Sequence, residues 1–213
     1  MSFELARALV ATLPKGSHTL FNPYTDRCVF DAEINGPEQR LERLAMHLDC
    51  DAKVVLIGEA PGYAGCRFSG VAFTSERQLL AGSVPRIKAP EGRLTTPRLS
   101  FTESSATTVW GNLYKLQQQD HAVMWNALQM HPSKDGSVLS NRTPSAAELA
   151  HGRAALSLIR EAFPKAMLIS IGQKAKQLLR DAGIQADWQV RHPANGGVPE
   201  FEAGLAEAFR HSR

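Results

Sequence analysis

Cysteine is scarce and unpaired in this chain: Cys28, Cys50 and Cys66 stand far apart among 213 residues. That spacing excludes a disulfide scaffold and offers no CxxC pair to zinc or to an iron–sulfur cluster. Long apolar runs are absent too. Val54–Ile57 is typical of the longest, far short of the roughly 20 residues needed to span a bilayer. The N-terminus, Met1-Ser2-Phe3-Glu4-Leu5, has no basic region ahead of an apolar stretch, so no secretory signal is expected. Neither GxxxxGK(S/T) nor GxGxxG occurs, so no phosphate-cradling loop is visible, and without GxSxG there is no nucleophile elbow. His131, His192 and Cys66 are scattered without metal-ligand spacing, so no metal is expected. Repeats and low-complexity segments are lacking. These absences predict a soluble, reduced, intracellular protein of one domain, residues 1–213.

What is present is ordinary for a globular chain. Hydrophobic residues make up 43% and charged residues 21%, which supports a core and argues against disorder. A net charge of +3 permits a polyanionic partner without demanding one. Leu5, Leu9 and Leu13 stripe a first helix stopped by Pro14, and Leu41, Leu44, Ala45 and Leu48 stripe a second opened by Pro37. Between them Asn22-Pro23-Tyr24 reads as a turn with no evident role. After this helical lead of residues 1–50, strand and helix patterns alternate over 53–210. Val54–Ile57, Ala122–Leu128, Met167–Ile171 and Trp188–Val190 read as buried strands. Helices are expected over Ser75–Leu80, Ser105–Leu116, from Thr143-Pro144 or a Ser145/Glu148 capping box to Ala162, over Gln173–Ala182, and on the Phe201, Leu205, Phe209 stripe. Residues 84–103 read as a mobile loop, with Arg86, Lys88, Arg93 and Arg98 against the single acid Glu91 from Arg86 to Arg98. The alternation predicts an α/β protein, a three-layer α/β/α sandwich around a central four-stranded parallel sheet.

Ligands of such sheets sit at the carboxyl ends of the strands. Function is therefore expected in Gly58-Glu59-Ala60-Pro61-Gly62, Asn126, Gly172-Gln173 and His192-Pro193. Each is ambiguous alone. The glycine–proline turn could simply end a strand, a lone asparagine commonly holds a loop, Phe73 could be core, and His131-Pro132 repeats the His192-Pro193 dipeptide.

Taken in order, the pieces resemble the uracil-DNA glycosylase superfamily, nearest its iron–sulfur branch, family 4. Gly58-Glu59-Ala60-Pro61-Gly62 matches that branch's first motif, followed by Gly70-Val71-Ala72-Phe73 and Gln78-Leu79-Leu80. Asn126 ends the next strand, Asn141-Arg142-Thr143-Pro144 opens a helix, Ile171-Gly172-Gln173-Lys174-Ala175 follows, and His192-Pro193-Ala194 closes the series. Departures are clear: three unpaired cysteines where the branch has four, hence no cluster and no cofactor; Ala194 where serine is usual; and a longer, more basic 84–103 segment.

The resemblance implies a glycosylase-like fold and a monofunctional DNA glycosylase that flips uracil from DNA and hydrolyses its N-glycosidic bond, starting base excision repair. It implies that Phe73 stacks on uracil, that Asn126 reads its N3–H and O4, and that the backbone around Gly58 and Ala60 holds the ring edge. His192 is implied as the donor to the leaving base, and Glu59 as the carboxylate near the sugar. In the GQDPY branch a tyrosine that crowds the thymine methyl falls where Gly62 stands here, and Tyr63 is adjacent but not equivalent. For DNA contact the candidates are Arg142, Arg191, Asn195, Gly196 and Val198, with Val198 the wedge, together with the basic Arg86–Arg98 stretch. Lys174 is the nearest lysine to the strand-end motifs but falls in a helix, so no Schiff base is expected. The partner is then uracil-containing DNA, single- or double-stranded, met by a monomer in the cytoplasm, on the nucleoid when acting, and no membrane. Two alternatives stand beside this reading: a glycosylase for another deaminated base such as hypoxanthine or xanthine, and a slow or non-catalytic binder of uracil or abasic DNA.

Overall fold

The computed structural model describes residues 2–98 and 100–211. In chain order it contains α1 (Ser2–Ala11), β1 (Leu20–Phe21), α2 (Pro37–Leu48), β2 (Val54–Gly58), α3 (Cys66–Ser69), α4 (Glu76–Leu80) and α5 (Ser104–Lys115). A 3-10 turn (Gln119–His121) leads into β3 (Ala122–Asn126), followed by β4 (His131–Pro132), α6 (Ala146–Ala150), α7 (Arg153–Ala162), β5 (Met167–Ile171), α8 (Gln173–Asp181), β6 (Trp188–Val190) and α9 (Val198–His211).

The central sheet has four parallel strands in the order β3-β2-β5-β6, as the alternating pattern predicts. Its central strands are apolar on both faces, because each face is covered. Val55, Ile57, Val123, Trp125 and Leu168 pack with α1, α2, α7 and α8. Val54, Leu56, Met124 and Ile169 point the other way, into Leu79 of α4, the Val109 and Leu113 ridge of α5, and Phe201 and Leu205 of α9. The chain winds outward from β2 to β3, then returns to the other side of β2 for β5. That reversal opens a crevice at the carboxyl ends, where a ligand is expected. No helix among the described residues is long and apolar enough to cross a membrane.

Three expectations need correction. The helix foreseen from about 143 to 162 is two helices. Ser145 caps α6 through a capping box with Glu148, and the chain breaks at Gly152, which lies so close to the Ala127 carbonyl that a Cβ would overlap it. A two-stranded antiparallel ladder, Leu20↔Pro132 and Phe21↔His131, was not foreseen, being too short to show a period. Asn22-Pro23-Tyr24 is the turn expected, with Thr25 N donating to Asn22 O (3.3 Å), and it proves to be buried and anchored. Asn22 is fully buried, donating from Nδ2 to the Pro14 carbonyl and accepting the Tyr24 N–H, while Arg40 donates to the carbonyls of Pro23 (3.0 Å) and Asp26 (2.9 Å).

The third correction concerns residues 84–103, of which Leu99 lies outside the described residues. The segment is irregular, as expected, but it is fastened rather than loose. Val84, Ile87 and Leu94 are buried. Arg86 donates to the carbonyls of His47, Gln119, Asp120 and Ala122 at 2.9–3.3 Å, so its charge closes chain ends rather than facing a phosphate. The carboxylate of the fully buried Glu76 accepts from Leu94 N (2.8 Å), Thr95 N (3.1 Å), Thr95 Oγ1 (2.7 Å) and Phe101 N (3.0 Å). Lys88 and Arg98 remain exposed. Arg93 Nε reaches the Glu76 carboxylate too (3.4 Å), so removing this one acceptor leaves five donors without it. Glu76→Ala is therefore expected to lose about 3 kcal/mol or more in urea unfolding and to open this segment to protease; an unchanged midpoint and digestion pattern would show that the carboxylate does not hold it.

Candidate active site

The strand ends converge as the fold requires. Gly58 and Asn126 are register partners at the ends of β2 and β3. After them the chains stay fastened, Ala127 N donating to Gly58 O (2.8 Å) and Leu128 N to Glu59 O (3.0 Å). They border a cavity of about 440 Å³ whose wall includes Glu59, Ala60, Gly62, Phe73, Asn126 and His192. A Cβ on Gly58 would stand 2.7 Å from both Asn126 Oδ1 and Phe73 Cζ, so only glycine lets amide and ring share this corner. Phe73 itself has φ +50°, a strained conformation for an aromatic residue and one that turns up at ligand sites.

The direction of the Asn126 amide follows from a chain of hydrogen bonds. The Gly70 carbonyl can only accept, so Tyr24 OH must donate to it (2.6 Å). The Tyr24 oxygen then accepts from Gln129 Nε2 (2.9 Å). That leaves Gln129 Oε1 to accept both the Asn126 backbone N–H (3.1 Å) and Asn126 Nδ2 (3.0 Å). Each link excludes its own reversal. Asn126 therefore holds Nδ2 toward Gln129 and Oδ1 toward Gly58 and Phe73. Gln129 and Tyr24 were not singled out from sequence; their only signal was that a buried amide needs partners.

His192 stands beside Phe73, ring centroids 6.4 Å apart. Its Nδ1 accepts the Ala194 N–H (3.1 Å), which puts the proton of the neutral ring on Nε2. Burial lowers its pKa below the ordinary 6.5, opposed by the nearby Glu59 carboxylate. The ring is thus a neutral N–H donor at pH 7. Glu59 is half-buried and pairs with Lys174 at 3.1 Å, and Lys174 also donates to Thr143 Oγ1 (3.1 Å). Lys174, read from sequence as the nearest lysine to the strand ends but given no role, is thus in contact with their carboxylate.

Among the DNA-contact candidates, Arg142 is engaged within the protein. It donates to both Glu148 oxygens and to the carbonyls of Ser133 (2.9 Å) and Thr19 (3.0 Å). It fastens the 141–145 turn to the small sheet. His131 does similar work: Arg67 donates to its Nδ1 (2.7 Å), so its Nε2–H faces Ser140 O (2.9 Å), and burial with Arg67 lowers its pKa to about 4. Arg191, Asn195, Gly196 and Val198 lie exposed on one rim, where Arg191 donates to the Asn195 carbonyl (3.2 Å) and lies 3.7 Å from Glu200 Oε1. Asn195 (φ +53°) and Gly196 (φ +76°) both take left-handed backbone, which lifts the loop and leaves Val198 38% exposed at the start of α9. Among the described residues no group of three His, Cys, Asp or Glu side chains is placed to hold a metal.

Sequence reasoning missed one wall residue altogether. Glu103, just before α5, is half-buried and lines the cavity; its Oε2 is buried with no hydrogen-bond partner among the described residues. Burial pushes its pKa up to about 7.

The profile of the uracil DNA glycosylase superfamily matches residues 46–197. No curated protein matches the chain in sequence. Among solved structures, the crystal structure of wild-type SMUG2 from Pedobacter heparinus is similar in fold, with a TM-score of 0.65 and 14% identity over 97% of each chain.

The electrostatics can be read directly. Followed by NMR, the His192 ring should titrate below 6.5. Because the Glu59 carboxylate favours the imidazolium, Glu59→Gln should lower that midpoint further; a rise would mean that the two groups do not interact.

Proposed function

Because the chain belongs to the uracil-DNA glycosylase superfamily, a group of DNA glycosylases, we propose that it removes uracil from DNA as a monofunctional, cofactor-free hydrolase, opening base excision repair. The observation that carries this reading is the amide of Asn126, held in one orientation beside the Phe73 ring. A flipped uracil stacked on Phe73 offers N3–H to Asn126 Oδ1 and receives the second Nδ2 hydrogen at O4. Cytosine presents an acceptor at N3 and a donor at C4, and would leave buried polar groups unpaired against an amide that Gln129 and Tyr24 keep from turning.

Cleavage of the N1–C1′ bond leaves the electron pair on the base and positive charge on the sugar. The neutral His192 Nε2–H supports this reading as a donor to O2 of the departing anion, while the Glu59 carboxylate faces the sugar cation or orients the water that adds to C1′. Water supplies hydroxyl to C1′ and its proton goes to the base, so the reaction balances without a cofactor. The exposed rim suits the DNA side: Arg191 for a phosphate, the Asn195-Gly196 loop against the backbone, and Val198 filling the space the base leaves.

The test is single-uracil DNA, as a single strand and opposite G or A, followed by alkali. Uracil-dependent strand cleavage is expected, with Asn126→Ala and His192→Ala each slowing it by about 10²–10³-fold. Cleavage indifferent to both would overturn this active site, and a uracil-dependent gel shift without cleavage would favour a binding protein. Tyr24→Phe tests the amide chain. Without the hydroxyl, Gln129 Nε2 loses its oxygen acceptor and only the Asn126 backbone N–H still fixes Gln129 Oε1, so discrimination of uracil against cytosine should weaken, by up to about tenfold, whereas a change in overall rate alone would mark Tyr24 as merely structural.

A further inference from the structure

The reading above leaves one side of the base unassigned. Around a pyrimidine, O2, N3 and O4 face His192 and Asn126, and N1 carries the sugar. C5 follows O4, so its wall lies beyond the Nδ2 end of Asn126. Gln129 occupies that end, and its Nε2 also reaches Cys66 Sγ (3.2 Å). Cys66 lines the cavity, and its thiol is held up by burial and by the neighbouring Glu103 carboxyl. Glu103 is thus the titratable group on the C5 side. The glycines admit it: a Cβ on Gly65 would overlap its carboxyl, and one on Gly62 would stand 3.0 Å from Oε1. Its Oε2 is buried with no partner among the described residues, which is costly unless a ligand supplies one to the carboxyl.

The edge of a base that carries C5 in a pyrimidine carries N7, a hydrogen-bond acceptor, in a purine, and in thymine it carries a methyl group. We propose that Glu103 is a specificity residue reading this edge, donating its carboxyl O–H to N7 of a deaminated purine such as hypoxanthine and turning away thymine, whose methyl would seal the carboxyl unpaired. Uracil, with only hydrogen at C5, enters without touching it. The inference rests on Asn126 as the base reader and extends that reading to a second base class. It also gives selection a pH dependence. The carboxyl keeps its donor proton up to about pH 7 and above that can only accept, so selection of purine over uracil should weaken as pH rises through 7. Among the described residues no charged partner faces this carboxyl, and Cys66 is its titratable neighbour.

The unmodified protein, Glu103→Gln and Glu103→Ala are compared from pH 6 to 8.5 on DNA carrying a single uracil, hypoxanthine or thymine opposite G. The hypoxanthine-to-uracil rate ratio should fall with pH in the unmodified protein and be flat in Glu103→Gln, which keeps an N–H donor. In Glu103→Ala it should drop by about tenfold while thymine excision appears. Folding is followed in parallel. Because the native carboxyl holds its proton to about 7 while an unfolded one ionises near 4.5, stability is lost as pH rises between those values, so Glu103→Gln should melt higher than the parent at pH 8.5 but not below pH 4.5. No hypoxanthine cleavage by the unmodified protein, a pH-independent ratio, or a ratio unchanged in Glu103→Ala, with uracil cleavage intact and dependent on Asn126, overturns this inference alone. Uracil cleavage that is absent or indifferent to Asn126→Ala overturns the base-reading site as well, and this inference with it.

Discussion

The directed hydrogen-bond chain from the Gly70 carbonyl through Tyr24 and Gln129 to Asn126 is the constraint on which the site depends. An amide's two ends are nearly alike in shape and opposite in chemistry, so a pocket that selects by hydrogen bonding must forbid the flip. Here the chain is fixed from both ends, by the Gly70 carbonyl, which can only accept, and by the Asn126 backbone N–H, which can only donate to Gln129 Oε1. The chain also gives the N-terminal segment its purpose. Asn22 and Arg40 bury and hold the loop that delivers Tyr24, so a part of the molecule remote in sequence from the strand-end motifs sets the chemistry of their asparagine.

Buried polar groups are the means of construction around this site. Arg43 donates to the Phe68 and Ser69 carbonyls and to Asn35, Arg86 gathers four carbonyls, and Glu76 gathers five donors. Their partners lie at helix and strand ends or in irregular segments, where backbone groups have no ladder to join and must be satisfied by side chains. That is why the basic residues of the 84–103 segment do not form a free cationic patch: the first of them is used as a multiple donor to backbone.

The cavity combines groups in different protonation states within a small volume. His192 is neutral because burial disfavours its cation, Glu59 has Lys174 opposite it, and Glu103 sits without a counter-ion and is lifted toward neutrality. Desolvation thus separates two carboxyls in one cavity, one with a cationic partner and one able to hold a proton.

The parallel sheet and the places where function gathers were legible in the sequence, because a strand covered on both faces must be apolar throughout and a parallel sheet exposes its ligand sites at the carboxyl ends. Gly58, Glu59, Phe73, Asn126 and His192 were found in that way and by resemblance, and the last four border one cavity. Tyr24, Gln129, Lys174 and Glu103 were not, since nothing local distinguishes a side chain that will meet its partner 46, 105 or 115 residues away. Periodicity records which face of an element is buried; it carries no record of which polar atoms meet across elements. The sequence alone therefore determined the layers and the loops that surround the pocket, while the orientation of Asn126, the tautomer of His192 and the isolation of Glu103 were decided only by tertiary packing, because hydrogen-bond direction and desolvation arise when distant segments close on one another.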